Sequence, residues 1–286
     1  MKRSTILHLR FPFSLFLLPV FLYAVAVTDA GTDHQFWLVF VILHFLVYPA
    51  SNGFNSYFDK DEGSIGGLER PPKVTKELYV VATIMDIIAI SLSFFISAVF
   101  AAMIVIYIGV SRAYSHPAIR LKKYPVLGWL ITGIFQGYFT FLLVAVALTG
   151  LEPWNLAAHQ HLAGLISTLL LFGSYPMTQV YQHEEDRERG DITISLKLGI
   201  VGTFHFTGLL FMIATAGFIG YFLTYHSPSL IMVYLICSGP VLLFFLWWYL
   251  SMRRDQEVVN FKNTMRLNAL SSVSFIAFFL VWWLWF

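Results

Sequence analysis

Long apolar runs, broken at intervals by charged or turn-forming residues, make up most of the chain from Phe11 to Phe286. A bilayer core takes about 20 apolar residues per helix. Runs of that order fall at 12–28, 36–57, 78–96, 97–115, 126–149, 160–183, 201–224, 229–250 and 268–286. The pattern predicts an all-α polytopic membrane protein with nine transmembrane helices in one bundle. Only Ser97 separates the third run from the fourth, so one long helix, and eight spans in total, is the alternative. No low-complexity linker, soluble domain or heptad run interrupts the series. Acid-rich loops follow the second and sixth runs, an internal echo that suggests two bundle halves of related design. Residues 1–286 are read as a single integral domain.

Composition supports the membrane reading, since only 12% of residues are charged against about 25% in soluble domains. The mean hydropathy is +0.71. A net charge of +2 leaves no broad basic field for nucleic acid. The single cysteine, Cys237, excludes an intrachain disulfide framework and a cysteine zinc site.

The placement of charge says more than its total. All 18 Lys and Arg fall in alternating segments, namely Lys2, Arg3 and Arg10; Lys60, Arg70, Lys73 and Lys76; Arg112, Arg120, Lys122 and Lys123; Arg187, Arg189 and Lys197; Arg253, Arg254, Lys262 and Arg266. The intervening loops carry Asp29, Asp33, His34, Glu152, His159 and His161 and no cation. Positively charged loops stay cytoplasmic, which places the N-terminus inside and the C-terminus outside a cell membrane. Lys2, Arg3 and the small residues from Ala24 to Ala30 also resemble a signal peptide. The first apolar run is longer than the usual h-region, and Pro12 and Pro19 interrupt it, so it is read as a retained span.

Charge in excess of what a loop requires collects at two helix ends. After the second run the chain reads Asn52-Gly53-Phe54-Asn55-Ser56-Tyr57-Phe58-Asp59-Lys60-Asp61-Glu62-Gly63. Asn55 and Asp59 are spaced i, i+4 and Glu62 follows at i+3, so a continuing helix sets all three on one face, with Asp61 pointing elsewhere. After the sixth run, Gln182, Asp186 and Gly190 repeat the i, i+4 spacing, and Gly190 can end the helix. Two clusters of carboxylate and amide oxygens at one membrane face suit magnesium, which is usually held by one or two carboxylates plus substrate phosphates. Magnesium bridging a diphosphate makes it a better leaving group. Solvated loop charge is the ordinary alternative for either cluster. On the loop after the fourth run, Arg120, Lys122 and Lys123 can supply cations for such a leaving group, although positive-inside bias also places basic residues there.

Together these residues resemble the UbiA superfamily of intramembrane prenyltransferases, and the likeness covers essentially the whole chain. The first motif of that family matches Asn55, Asp59, Asp61 and Glu62, then Arg70-Pro71-Pro72. The second matches Asp186, Gly190 and Thr193, with Leu198-Gly199 following. Tyr114, Ser115, Pro117, Arg120, Leu121 and Lys122 are similar to the loop of the chlorophyll-synthase and archaeal ether-lipid branches. The chain departs from the pattern at Ser56, Gly63 and Gln182, where relatives often carry acids. Gln182 offers a neutral oxygen in place of a charge, with Asp61, Glu62, Glu185 and Asp191 able to compensate.

The resemblance implies Mg2+-dependent transfer of a prenyl group from a prenyl diphosphate to an aromatic, quinone-precursor or other lipid-soluble acceptor, releasing pyrophosphate. It implies that Asp59 with Asn55, and Asp186 with Gln182, hold magnesium and diphosphate, Glu62 adding to the first set. Arg70, Arg120, Lys122 and Lys123 then accept the leaving group's charge. Arg10, Tyr114, Ser115 and Thr193 are further substrate contacts, and the site lies at the cytoplasmic face. The bilayer is the implied environment, and no protein partner is inferred.

Asp86, inside the third run, is a functional candidate because ionisable residues are costly in a membrane helix, but it can equally pair with a neighbouring helix or water. A secondary transporter would use it to line an ion path. A family member that only binds lipid is the other alternative. His44 and His205 are read as packed interior groups, Gly66-Gly67 as a turn, and Trp282-Trp283-Leu284-Trp285 as an interfacial aromatic belt.

Overall fold

Helices account for most of the chain in the computed structural model, which describes residues 1–60 and 62–286; Asp61 lies outside the described residues. In chain order they are α1 (Arg3–Leu9), α2 (Leu18–Thr28), α3 (His34–Val41), α4 (Tyr48–Asp59), α5 (Lys76–Ser93), α6 (Ala98–Ser115), α7 (Pro125–Ile134), α8 (Thr140–Thr149), α9 (Ala158–Gln179), α10 (His183–Glu188), α11 (Ile194–Tyr225), α12 (Ser229–Met252) and α13 (Phe261–Trp285). Wider π turns at Ile42–Val47 and Phe135–Phe139 join α3 to α4 and α7 to α8. Among the described residues there is no strand, only an isolated bridge between Ile65 and Leu68. That bridge closes the expected turn over Gly66-Gly67, where Gly67 takes a φ of 84°, open to glycine at little cost.

Seven stretches among the described residues are long and apolar enough to cross a membrane: Arg3–Thr28, His34–Asp59, Ala98–Ser115, Pro125–Thr149, Ile194–Tyr225, Ser229–Met252 and Phe261–Trp285. The other two expected spans are helical but more polar. α5 carries Lys76, Glu77 and Asp86, and α9 carries Gln160, His161, Ser167, Thr168 and Ser174. The break at Ser97 is real: its Oγ accepts the Phe100 amide at 3.0 Å, capping α6 and separating it from α5.

The chain divides into two compact units. The first comprises Met1–Leu15, Ala30–Lys122 and Leu143–Asn155. In it, Leu9, Ala50, Leu78, Ala82 and Met85 bring α1, α4 and α5 together. Gly53 permits the close approach, since a Cβ there would meet Leu78 Cδ1 and Leu9 Cδ2 at 3.1 Å each. Lipid tails are as apolar as leucine, so such contacts hold by packing more than by removal from water.

The second unit comprises Phe16–Asp29, Lys123–Leu142 and Leu156–Phe286. Tyr23 anchors an aromatic core there, stacked on Phe279 at 4.7 Å and flanked by Phe141 and Phe218 at 5.3 Å and Trp282 at 5.7 Å. A second cluster gathers Met177, Phe204, Phe245, Trp248 and Leu267. Two sequence expectations change. Trp282 belongs to the buried core, while Trp285 is exposed, because successive tryptophans on one helix point in different directions. His44 is buried as expected, but His205 lies on an exposed face and bonds the Tyr249 hydroxyl at 2.8 Å.

Candidate functional site

The first acidic cluster is built on the last turn of α4. Asn55 and Asp59 lie one turn apart on one side of the helix, as their spacing requires. The helix stops at Asp59 because Lys60 adopts a left-handed conformation (φ 51°) and returns its amide to the Ser56 carbonyl at 3.0 Å. Glu62 therefore does not continue the face shared by Asn55 and Asp59; it is exposed beyond the helix end.

Asn55 Oδ1 is buried and has no hydrogen-bond partner among the described residues. A buried carbonyl oxygen without a donor is costly, and a cation is one group that would satisfy it. Asp59 is ion-paired with Lys122 Nζ, and Arg120 Nη2 stands 3.9 Å from the same Oδ1. Both cations come from the loop after α6, where Arg120 itself takes a left-handed backbone (φ 46°), with its amide on the His116 carbonyl at 2.8 Å. Such a conformation is strained for a side-chain-bearing residue and persists only when its surroundings hold it.

The remaining candidates of this unit separate into different roles. Ser115 is buried at the end of α6 and Tyr114 is half-buried beside it. Arg70 is exposed. Arg10 donates to the Gly66 carbonyl at 3.1 Å and the Asn52 carbonyl at 3.3 Å, and lies 5.3 Å from the Phe13 ring centre, so it ties the loop after α4 to that helix. Asp86 is buried and binds Arg112, whose Nε donates at 2.8 Å and whose Nη2 also reaches Asp86 Oδ2. An ion path through Asp86 thus loses its motivation, because the carboxylate is already neutralised.

The second cluster is not on one continuous helix. α9 ends at Gln179, Gln182 caps the short α10, and Asp186 lies within α10 with its amide on the Gln182 carbonyl at 2.9 Å. Gly190 turns the chain with a φ of 72°. Thr193 Oγ1 donates to Asp186 Oδ2 at 3.1 Å and accepts the Leu196 amide at 3.3 Å, so one hydroxyl both orients the carboxylate and caps α11. Asp186 and Asp191 are buried, and Glu185 pairs with Arg189 at 3.1 Å.

A thread of polar side chains braces this end. His183 Nε2 meets Ser195 Oγ at 2.7 Å, Ser195 meets Thr203 Oγ1 at 3.0 Å, and Thr203 donates to the Gly199 carbonyl at 2.7 Å. Gly199 (φ 70°) breaks α11, and Thr203 Oγ1 reaches carbonyls on both sides of that break, Ser195 at 3.2 Å and Gly199 at 2.7 Å. Burial, and then the charge of Arg187, hold the His183 imidazole below its ordinary pKa.

Gln179 is a site candidate that the sequence reading passed over. Its amide donates to the Tyr175 hydroxyl at 2.9 Å, and its Oε1 is buried with no hydrogen-bond partner among the described residues, as is Asn55 Oδ1. The available signal was its place seven residues before Asp186 and three before Gln182, masked because the residue is neutral. Among the described residues no three His, Cys, Asp or Glu side chains gather as a metal cluster. The donor sets are instead single carboxylates with amide oxygens, which suits magnesium completed by phosphate and water.

A profile described as the UbiA prenyltransferase family matches residues 16–270. No curated protein matches the chain. Among solved structures, a UbiA homolog from Archaeoglobus fulgidus bound to DMAPP and Mg2+ aligns with a TM-score of 0.65 at 17% identity, covering 97% of this chain and 99% of that one. An apo UbiA homolog from Aeropyrum pernix K1 aligns with a TM-score of 0.70 at 18% identity, covering 94% of this chain and 97% of that one. A structure from work on digeranylgeranylglyceryl phosphate synthase aligns at 0.63 and 20% identity, covering 97% of each chain.

Proposed function

The chain belongs to the UbiA prenyltransferase family, and from that premise we propose that it transfers a prenyl group from a prenyl diphosphate to an aromatic, quinone-precursor or other lipid-soluble acceptor. The proposal includes nine spans with the N-terminus and the acidic helix ends at the cytoplasmic face, supported by the confinement of all 18 cations to alternating segments. It also treats residues 1–286 as one working domain.

The observation that carries the reading is the pairing of the unsatisfied Asn55 oxygen with an Asp59 carboxylate already met by Lys122 and Arg120. Acid, amide and cation side by side suit a ligand that carries both a divalent metal and an anion. Asn55, Asp59, Gln179, Gln182 and Asp186 fit as magnesium ligands by donor type. Magnesium, when bound, would supply positive charge to offset the charge that develops on the diphosphate.

The chain's own groups do the rest. Lys122 and Arg120 donate to diphosphate oxygens, and Arg70 and Lys123, both exposed, meet the ligand on arrival. Thr193 holds the Asp186 carboxylate in orientation. The bond from the allylic carbon to the diphosphate oxygen breaks, its electron pair leaving with pyrophosphate. The acceptor's nucleophilic atom then bonds that carbon and gives up a proton. The DMAPP and Mg2+ bound to the Archaeoglobus protein support this choice of donor.

The test is equilibrium binding of geranyl diphosphate to the purified chain in lipid nanodiscs, with and without Mg2+, followed by pyrophosphate release on adding membrane lipid extract. Magnesium-dependent binding and release are expected. No binding under either condition would overturn the reading, and binding without release in any extract would favour a lipid-binding protein.

A further inference from the structure

Asp86 and Arg112 belong to neither acidic cluster, yet a buried carboxylate is costly unless it is paired. An apolar pair of similar volume often serves stability as well as a buried ion pair does. What Arg112 does besides neutralising Asp86 is therefore the informative part.

Its guanidinium carbon lies 3.8 Å from the centre of the Phe54 ring, and its Nε and Nη2 both reach one oxygen of Asp86. The preceding residue, Ser111, bonds Ser51 Oγ to Oγ at 2.5 Å. Ser51 stands one turn before Asn55, and Phe54 immediately before it. Consecutive residues of α6 thus grip α4 over the turn that leads into Asn55. α6 ends three residues later at Ser115, and the same chain continues to Arg120 and Lys122 on Asp59.

We propose that Arg112, oriented by Asp86 and stacked on Phe54, is a positioning residue that sets where the Asn55 oxygen stands relative to Asp59. The inference rests on the prenyl-diphosphate reading of the site. The role needs arginine, because a flat guanidinium can bind a carboxylate through two N–H groups while lying on an aromatic face, and a lysine ammonium cannot do both. Asp86 acts only through Arg112 and touches no ligand.

Two variants of the full chain test this in nanodiscs: Arg112→Lys, which keeps the charge and loses the stack, and the double variant Asp86→Leu with Arg112→Met, which removes both charges and leaves neither unpaired. The first measurement is equilibrium binding of geranyl diphosphate as magnesium is titrated, without acceptor; thermal midpoints are recorded alongside. Both folded variants should need about 10- to 100-fold more magnesium for half-maximal binding, with the double variant at least as heat-stable as the wild type. A merely structural pair would move the midpoint and leave the magnesium requirement alone. An unchanged requirement in either folded variant overturns the assignment, and Arg112→Lys decides by itself if the double variant does not fold. A wild type that binds no geranyl diphosphate at any magnesium concentration fails earlier, and overturns the functional reading together with this one.

Discussion

Asp59 and Asp186 follow corresponding runs of the sequence, but the two units satisfy them differently. Asp59 is met by Lys122 and Arg120 from a loop with a strained left-handed residue. Asp186 is held by the Thr193 hydroxyl at 3.1 Å, inside a short helix pinned to α11 through His183 and Ser195. An ion pair between flexible chains exchanges partners readily when a competing charge arrives, whereas a hydroxyl that is also a helix cap holds its orientation. On the proposed reading, one end can respond to a charged ligand while the other stays still.

The largest effect expected is the loss of either carboxylate. Asp59→Asn and Asp186→Asn should each lower turnover by about 100-fold or more while the protein still folds, a loss of the size seen when one preorganised electrostatic group is removed. If one variant keeps near-normal turnover at limiting magnesium, that end drops out of the site and the comparison with it.

Lys122→Gln separates the two ends next. On the proposed reading Lys122 competes with metal for Asp59 but assists diphosphate, so its removal should tighten binding of Mg2+ alone and weaken binding of geranyl diphosphate, each by about tenfold. Calorimetric titration of each ligand separately reads both signs. Two changes in the same direction would contradict a responsive Asp59.

Gln182→Asp is expected to have a smaller, favourable effect. A carboxylate attracts a hard divalent cation more strongly than an amide does, so the magnesium concentration for half-maximal activity should fall, by about threefold to tenfold. An unchanged or raised requirement would place Gln182 away from the metal.

Thr193→Val is the mildest. It removes a cap and one orienting bond, which should cost about 1 kcal/mol of stability, measured as a lower denaturation midpoint, with turnover reduced less than by Asp186→Asn. Turnover falling as far as in Asp186→Asn would mean that Thr193 touches the substrate itself.

Much of this arrangement could be read from the residues, for physical reasons. Bilayer thickness sets helix length, so the apolar runs marked the helices closely, and Ser97 announced a turn because serine caps helices. The i, i+4 spacing correctly joined Asn55 to Asp59. What stayed hidden depends on distant or uncharged partners. Nothing at Lys60 marks a left-handed stop, and no glycine or proline marks the break at 180–182 between α9 and α10. The carbonyls that hold Arg10 lie 42 and 56 residues away, and Arg112 lies 26 residues from Asp86, so neither pairing leaves a local trace. Gln179 escaped notice because a neutral side chain in a polar helix end carries no charge signal.

The break at Gly199 has a consequence for direction. A straight α11 of 32 residues would run about 48 Å, well beyond a hydrocarbon core of about 30 Å. From Ile200 onward the helix is about 39 Å long, a length that a bilayer accommodates with modest tilt once the headgroup layers are included. The residues before the break, from Ile194 to Leu198, therefore need not continue the direction of the long helix. Thr193 sits at the start of that short arm, and Asp186 hangs from Thr193. A single glycine thus separates the short arm that carries Thr193, and with it Asp186, from the direction of the long helix.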